Sequence, residues 1–140
     1  ITRPFNYTGR GQDSRFLVPK IIEHFIDKAP ILKLGNIDVS RDFSDVRWIS
    51  EAYTNLLSIP TKGVTKINLC SGKLLSIRKI IALLQEITGH QMGVETDGSL
   101  VRKADIQCQY GNNNKLFSVV PNLSSAIEFS ETLKWMLQSK

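Results

Sequence analysis

The stretch Val64–Gly89, VTKINLCSGKLLSIRKIIALLQEITG, contains one whole structural step. Val64 to Leu69 is a β-branched and apolar run of the kind found in a buried strand. Ser71-Gly72 is a turn pair, and Ser76 stands where a helix wants an N-cap. From there Ile77, Ile80, Ile81, Leu84 and Ile87 recur at helical spacing. Gly89 follows, at the position where a left-handed residue commonly ends a helix. A strand passed through a turn into an amphipathic helix is the repeating step of α/β proteins.

The same alternation extends upstream. Val18, Ile22, Phe25, Ile26 and Ala29 form the stripe of a helix over residues 16–29, with Ser14 expected as its cap, Pro19 in its first turn and Pro30 beyond its end. Ile31 to Leu34 reads as a short strand ended by Gly35-Asn36. A further helix is expected from Ser44 or Asp45 as cap to just before Pro60, carrying Val46, Ile49, Ala52, Tyr53, Leu56 and Leu57 on one face. Downstream, Met92 to Glu95 is a candidate strand, and the polar, Gly- and Asn-rich run 96–114 reads mostly as loop. A last helix is expected from Ser125, whose spacing to Glu128 fits a capping box, with Ala126, Phe129, Leu133, Met136 and Leu137 inward.

The chain has 140 residues, 41% of them hydrophobic, enough for one domain with a core. We find no repeat, low-complexity tract or internal linker, so a single unit over residues 1–140 is expected. Its first residues, Ile1 to Phe5, look extended, as though a longer chain had been cut just before a strand. No run approaches the ~18 apolar residues of a membrane span, and the start lacks the layout of a signal peptide, so a cytoplasmic protein is expected. Cys70 and Cys108 form neither a disulfide framework nor a zinc site, and both are expected as reduced thiols in the interior. The net charge of +5 favours an anionic partner. A nucleic-acid-binding domain is disfavoured by the lack of a basic helix face or an aromatic-basic sheet signature.

A search for catalytic patterns returns no glycine-rich dinucleotide fingerprint, no phosphate loop and no metal-ligand cluster. His24 and His90 read as packing or surface residues, and Asp38, Asp42 and Asp45 as turn and cap residues. What stands out is a set of amide and basic side chains at element ends: Asn6, Lys20, Asn36, Arg41 and Arg102. Guanidinium and ammonium groups so placed suit a diphosphate, since their hydrogen bonds to phosphate oxygens are charge-assisted.

Three segments carry a resemblance. Arg3-Pro4-Phe5-Asn6-Tyr7-Thr8-Gly9-Arg10-Gly11-Gln12 resembles the Arg-Pro-Phe-Asn…Gly-Pro-Gly-Gln segment of extended short-chain dehydrogenases/reductases of the NAD-dependent epimerase/dehydratase family. Leu34-Gly35-Asn36 with Ser40-Arg41-Asp42-Phe43-Ser44-Asp45-Val46-Arg47 resembles its second signature. Asn68-Leu69-Cys70-Ser71-Gly72 with Ser76-Ile77 resembles its third. The wording is nearest to GDP-mannose 4,6-dehydratases and GDP-6-deoxy-4-keto-hexose reductases.

The resemblance implies an α/β chain that is the C-terminal, substrate-binding part of an extended Rossmann-type enzyme, with Ile1 to Asn6 and Val64 to Leu69 completing the edge of its sheet. It implies NAD or NADP as cofactor, a nucleotide-diphospho-sugar as substrate, most simply a GDP-hexose, reaction at the sugar C4, and a homo-oligomer. Asn6 would reach the sugar diphosphate, and Pro4 and Phe5 would lie near the nicotinamide. Lys20 would sit on the nucleotide, Leu34-Gly35-Asn36 beside the base and ribose, Arg41 and Arg102 on the pyrophosphate, and Asp105 on ribose hydroxyls. The family's catalytic Tyr-x-x-x-Lys is absent from these residues. This chain alone is therefore expected to bind and not to catalyse. Three positions depart from the family wording: Arg10 stands for proline, Trp48 for aspartate and Lys103 for proline. A nucleotide-sugar 4-epimerase and a non-catalytic nucleotide-sugar-binding module are the alternatives.

Overall fold

Where an element carries its own chemical boundaries, sequence and structure agree. In the computed structural model, which describes residues 1–60, 63–101 and 106–138, α3 (Ile77–Thr88) begins where the Ser76 hydroxyl accepts from the Lys79 N–H at 3.1 Å. It ends at Gly89, whose φ of 71° is easy only for glycine. Helix α2 (Val46–Leu57) is capped by Asp45, whose carboxylate accepts from the Arg47 N–H at 2.7 Å. Helix α1 (Leu17–Ile26) buries Val18, Ile21, Ile22 and Phe25 and holds Pro19 in its first turn.

The strands are short and pair across long sequence distances. β1 (Thr2–Pro4) lies parallel to β6 (Ile67–Leu69), and β2 (Asn6–Thr8) parallel to β5 (Phe43–Asp45). β3 (Ile31–Leu34) is parallel to β8 (Gly93–Thr96). β4 (Ser40–Arg41) is flanked by antiparallel β7 (Leu75–Ser76) and parallel β9 (Cys108–Gln109). Two helices complete the order, α4 (Asn114–Val119) and α5 (Phe129–Leu137).

Two apolar clusters form among the described residues. In the larger, α1, α3 and α5 pack around Leu32, Leu34, Val39 and Met92. In the smaller, α2 and α4 enclose β6, with Trp48 wholly buried among Ile49, Leu69 and Leu116. Trp48, one of the departures from the family wording, is thus a core residue, and its indole N–H donates to the Ser124 carbonyl at 2.9 Å.

Several expectations are corrected, each by a tertiary or local bond that the pattern did not show. Ser14 does not cap α1. Arg15 N donates to the Asp13 carboxylate at 2.8 Å and Phe16 N to the Asp13 carbonyl at 3.0 Å, so Ser14 is inside a turn and the helix starts from Phe16 without a side-chain cap. The last helix begins at Phe129, not near Ser125. Ser124 is held by both oxygens of Glu51, at 3.2 and 2.7 Å, and Ala126 and Ile127 pack on the smaller cluster, which keeps this segment out of a helix. Glu128 makes no capping bond and instead pairs with Lys73. The run 96–114 is mostly loop among its described residues, as expected, with a 3-10 turn, Gly98–Leu100, then β9 and the start of α4. The strand expected over 64–69 is limited to Ile67–Leu69, where β1 pairs with it, and Val64 is exposed.

The aspartates divide their roles. Asp45 is the expected cap, Asp38 pairs with Arg78, and Asp42 is fully buried beneath the turn at 71–72. Both histidines serve packing. The His24 ring bonds the Lys20 carbonyl at 2.8 Å, and the His90 ring bonds the Ala29 carbonyl at 2.8 Å while lying edge-on to Phe25. Of the two thiols expected inside, only Cys70 is buried; Cys108, on the short strand β9, is exposed. Burial, with the nearby Asp42 charge adding to it, pushes the Cys70 thiol up to about 11.

Two predictions follow from these groups. Burial tends to raise the Asp45 carboxyl, but hydrogen bonds from the Arg47 side chain, the Arg47 N–H and Thr132 outweigh it and hold it below its usual range. This stabilisation is present above the unfolded value of about 4 and is lost as pH falls through the lower folded value. Asp45→Ala removes a cap and leaves Thr132 unpaired, so it should cost about 2 kcal/mol in thermal unfolding of the full-length protein at neutral pH. The gap to the native sequence should narrow below about pH 4. For the thiols, iodoacetamide at neutral pH should label Cys108 in the native protein and leave Cys70 unmodified until denaturant is added, as read by peptide mass.

Candidate functional site

Strand β2 runs from the half-buried Phe5 into Asn6, Tyr7 and Thr8, and its pairing with β5 sets Asn6 beside Phe43. The first turn of α1 faces these residues, and the chain leaving β3 closes a third side. Together they enclose a cleft of about 550 Å³, a size that suits a small organic ligand. Its walls include Phe5, Asn6, Tyr7, Gln12, Arg15, Phe16, Gly35, Asn36, Arg41 and Leu100.

Each polar wall group has a fixed setting. The Asn6 side-chain amide donates to the Asp42 carbonyl at 3.2 Å, which identifies the bonded atom as nitrogen and turns its oxygen the other way. Asn36 is set oppositely, since its oxygen accepts from the Asp38 N–H at 3.0 Å. Gln12 accepts from the Thr8 hydroxyl at 2.6 Å and donates to the Tyr7 carbonyl at 3.4 Å. Arg41 is steadied on the cleft wall by the Ser40 carbonyl at 2.9 Å and the Gln107 carbonyl at 3.4 Å.

Gly35 sets the width at the β3 end. A Cβ there would lie 2.5 Å from the Leu100 carbonyl oxygen, so any other residue would push the Gly98–Leu100 turn away from the wall. The Asp97 carboxyl beneath that turn is held below its usual range, first by the Ser99 hydroxyl and then by the Ser99 N–H.

Of the residues singled out in the sequence, Phe5, Asn6, Asn36 and Arg41 line this cleft. Leu34 is buried in the larger core cluster, immediately before the cleft residue Gly35. Lys20 is not on the wall: its ammonium donates to the Lys33 carbonyl at 2.9 Å, spanning α1 and β3. Pro4 is exposed at the end of β1. Arg102 and Asp105, together with the departure at Lys103, lie outside the described residues. Sequence reasoning missed Tyr7, Arg15, Phe16 and Leu100 as wall residues. Arg15 and Phe16 directly precede α1, off its apolar stripe, and no pattern in the sequence marks them as wall residues.

Phe5 packs so closely on Gly111 that a Cβ there would lie 2.9 Å from its ring, which makes it a firm apolar wall.

No protein-family model matches the chain. It is 38% identical to a GDP-6-deoxy-D-talose 4-dehydrogenase of Aggregatibacter actinomycetemcomitans over 87% of its own length and 41% of that protein. It is 34% identical to a GDP-6-deoxy-D-mannose reductase of Pseudomonas aeruginosa, over 83% of its length and 40% of that protein. Among solved structures, a candidate epimerase from Burkholderia cenocepacia superposes with a TM-score of 0.93 at 40% identity, over 98% of this chain and 45% of that one. A Pseudomonas aeruginosa protein solved with NADPH superposes with a TM-score of 0.89 at 31% identity, over 99% of this chain and 46% of that one. The chain thus spans about two fifths of the length of the curated relatives it matches. With three signatures on β2, β4–β5 and β6–α3 and this shared fold, the chain has as homologues two GDP-6-deoxy-sugar oxidoreductases and as structural neighbours proteins of the NAD-dependent epimerase/dehydratase group of extended short-chain dehydrogenases/reductases, each matched over less than half of its length.

Proposed function

We propose that the cleft holds a nucleotide-diphospho-sugar, a GDP-hexose in the simplest case, for a cytoplasmic NAD(P)-dependent enzyme that reacts at the sugar C4. The observation that carries this reading is convergence. Asn6 comes from the first signature in the sequence and Asn36 and Arg41 from the second, and all three line one cleft. The names of the two curated relatives, both GDP-6-deoxy-sugar oxidoreductases, support GDP as the nucleotide.

On this reading Arg41 and Arg102 grip the pyrophosphate, Asp105 takes ribose hydroxyls, and Gly35-Asn36 flanks the nucleoside, with Leu34 beneath holding that segment in place. Arg102 and Asp105 are assigned by family resemblance alone. Asn6 has an amide oxygen to offer a sugar hydroxyl, while its nitrogen stays on the Asp42 carbonyl. Lys20 contributes long-range positive charge while it fastens α1 to β3. Pro4 and Phe5 form an apolar wall near the nicotinamide. The cofactor, when bound, exchanges a hydride with C4. This chain's part is to bind the sugar nucleotide, orient C4 and exclude water. We also expect the full protein to form a homo-oligomer.

The 40% identity to a candidate epimerase favours one second reading, inversion at the same carbon. The two differ in cofactor balance. A dehydrogenase or reductase changes the redox state of the nicotinamide pool with each turnover, whereas an epimerase returns it.

Two measurements test the proposal. The 140-residue chain by itself should turn over no nucleotide-sugar with NAD(P), because it contains no Tyr-x-x-x-Lys; any product found by chromatography would overturn the division of labour. In the full-length protein, Arg41→Ala should raise the dissociation constant for a GDP-sugar at least tenfold in calorimetry. Truncating one partner of a desolvated charge contact costs about 2–5 kcal/mol, and about 1.4 kcal/mol is already tenfold. Arg41→Lys should recover part of the loss, since lysine keeps the charge but not the fork. Unchanged affinity in Arg41→Ala would remove Arg41 from the site.

A further inference from the structure

We infer that Arg15 selects the nucleotide base, reading a 6-oxopurine such as guanine through its O6 and N7. This rests on the cleft being the nucleotide-sugar site and adds a specificity residue that none of the three signatures contains.

The position comes first. Lys20, one turn into α1, bonds the Lys33 carbonyl on β3, which brings the first turn of α1 against the segment Leu34-Gly35-Asn36. Across from that turn lies Leu100, whose carbonyl touches Gly35. Phe16 is 57% exposed and Leu100 50% exposed, and both line the cleft. Two large apolar side chains left open at a cleft mouth are covered well by a flat aromatic ring.

Chemistry narrows the reader of that ring to Arg15. The polar atoms of Gln12 are both taken within its own loop. Asn6 is on the strand β2 side, and Arg41 is steadied by carbonyls of β4 and the chain before β9. Arg15 uses only its Nε, which donates to the Asp13 carboxylate at 2.9 Å; among the described residues its two terminal nitrogens have no hydrogen-bond partner. The Asp13 pair is exposed on both sides and so holds the fork weakly, leaving it able to turn inward. Two parallel N–H donors match the O6 and N7 acceptors of guanine, the commonest specific arginine contact to a base. Adenine places an amino donor where O6 would be, and a pyrimidine has no N7.

The test is calorimetry of the full-length protein with GDP, IDP, 7-deaza-GDP, ADP and UDP. The native protein should bind GDP and IDP alike, because both keep O6 and N7, and should bind 7-deaza-GDP, ADP and UDP more weakly. Arg15→Ala should weaken GDP by about five- to a hundredfold, the span of one bidentate arginine–guanine contact, and leave UDP unchanged. In that variant 7-deaza-GDP should match GDP. Arg15 has an 84% exposed side chain, so the variant should melt as the native protein does. The inference is overturned if Arg15→Ala keeps the native preference for GDP over UDP. Equal weakening of GDP and UDP also overturns it, since Arg15 would then be touching phosphate. If the native protein binds no nucleoside diphosphate at all, it is the reading of the cleft that fails.

Discussion

A single buried carboxylate joins the parts of the chain that form the cleft wall. Asp42 is completely inaccessible, yet its Oδ1 accepts from the Ser71 N–H at 2.8 Å and the Ser71 hydroxyl at 2.7 Å. Its Oδ2 accepts from the Gly72 N–H at 2.9 Å and the Gly111 N–H at 3.3 Å. A charge taken out of water is tolerated only when donors replace its hydration. These four do so, and in return one side chain ties β4–β5 to the turn after β6 and to the chain entering α4. An apolar residue at this position would strand three backbone N–H groups, each at a cost of about 1–3 kcal/mol when buried. The Asp42 main chain extends the tie, since its N–H donates to the Gln109 carbonyl and its own carbonyl takes the Asn6 amide. The settings of Asn6 and of the neighbouring Arg41 both follow from it.

A second tie holds the loop after β2. Gly9 approaches α2 so closely that a Cβ would sit 2.4 Å from the Val46 side chain and 3.1 Å from the Trp135 ring. Arg10, where the family wording has proline, donates to the Trp135 carbonyl at 2.7 Å and to Gln138 at 3.1 Å, at the C-terminal end of α5 where a cation is favoured. Its guanidinium also lies 5.0 Å from the Trp135 ring centre, and that of Arg47 lies 3.9 Å from it. A rigid ring in the turn is thus replaced by an arginine anchored on a helix end, and Gln12 stays on the cleft wall.

What the sequence disclosed follows the range of the forces involved. Elements bounded by their own residues were legible, as Ser76 and Gly89 for α3 and Asp45 for α2 show. Elements bounded by distant partners were not. The late start of α5 depends on Glu51 and Trp48 holding Ser124 from another helix, and neither contact has a local pattern. Asn112 and Asn113 are loop as the sequence reads, but the sequence does not show that Asn113 bonds the carbonyls of Cys70 and Ser71 at 3.1 Å each, with α4 starting directly after it. The cleft divides in the same way. Asn6, Asn36 and Arg41 were legible through the first two resembling segments. Lys20 lies off the cleft wall because its long stem reaches a backbone carbonyl of β3, and Arg15 is not marked in the sequence because an arginine two residues from an aspartate looks like any solvated pair.

The proposed division between gripping and reacting has an energetic consequence. Contacts to a base and a diphosphate are the same before and at the transition state, so by themselves they lower the free energy of both equally and leave the chemical step unchanged. They become useful to a reaction only when they hold the reacting carbon in a fixed place, which turns binding energy into orientation. That requires a stiff wall, and this chain provides one through the buried Asp42 carboxylate, the glycine contact at Leu100 and the arginine anchors on Trp135. Structures as alike as TM-scores of 0.93 and 0.89 here include a candidate epimerase and a protein solved with NADPH. If the cleft holds the sugar nucleotide as proposed, a shared wall of this kind is indifferent to the stereochemistry at C4. On the proposed reading, the choice among oxidation, reduction and inversion therefore falls to the groups that face the sugar and the nicotinamide, while this fold fixes where the sugar lies.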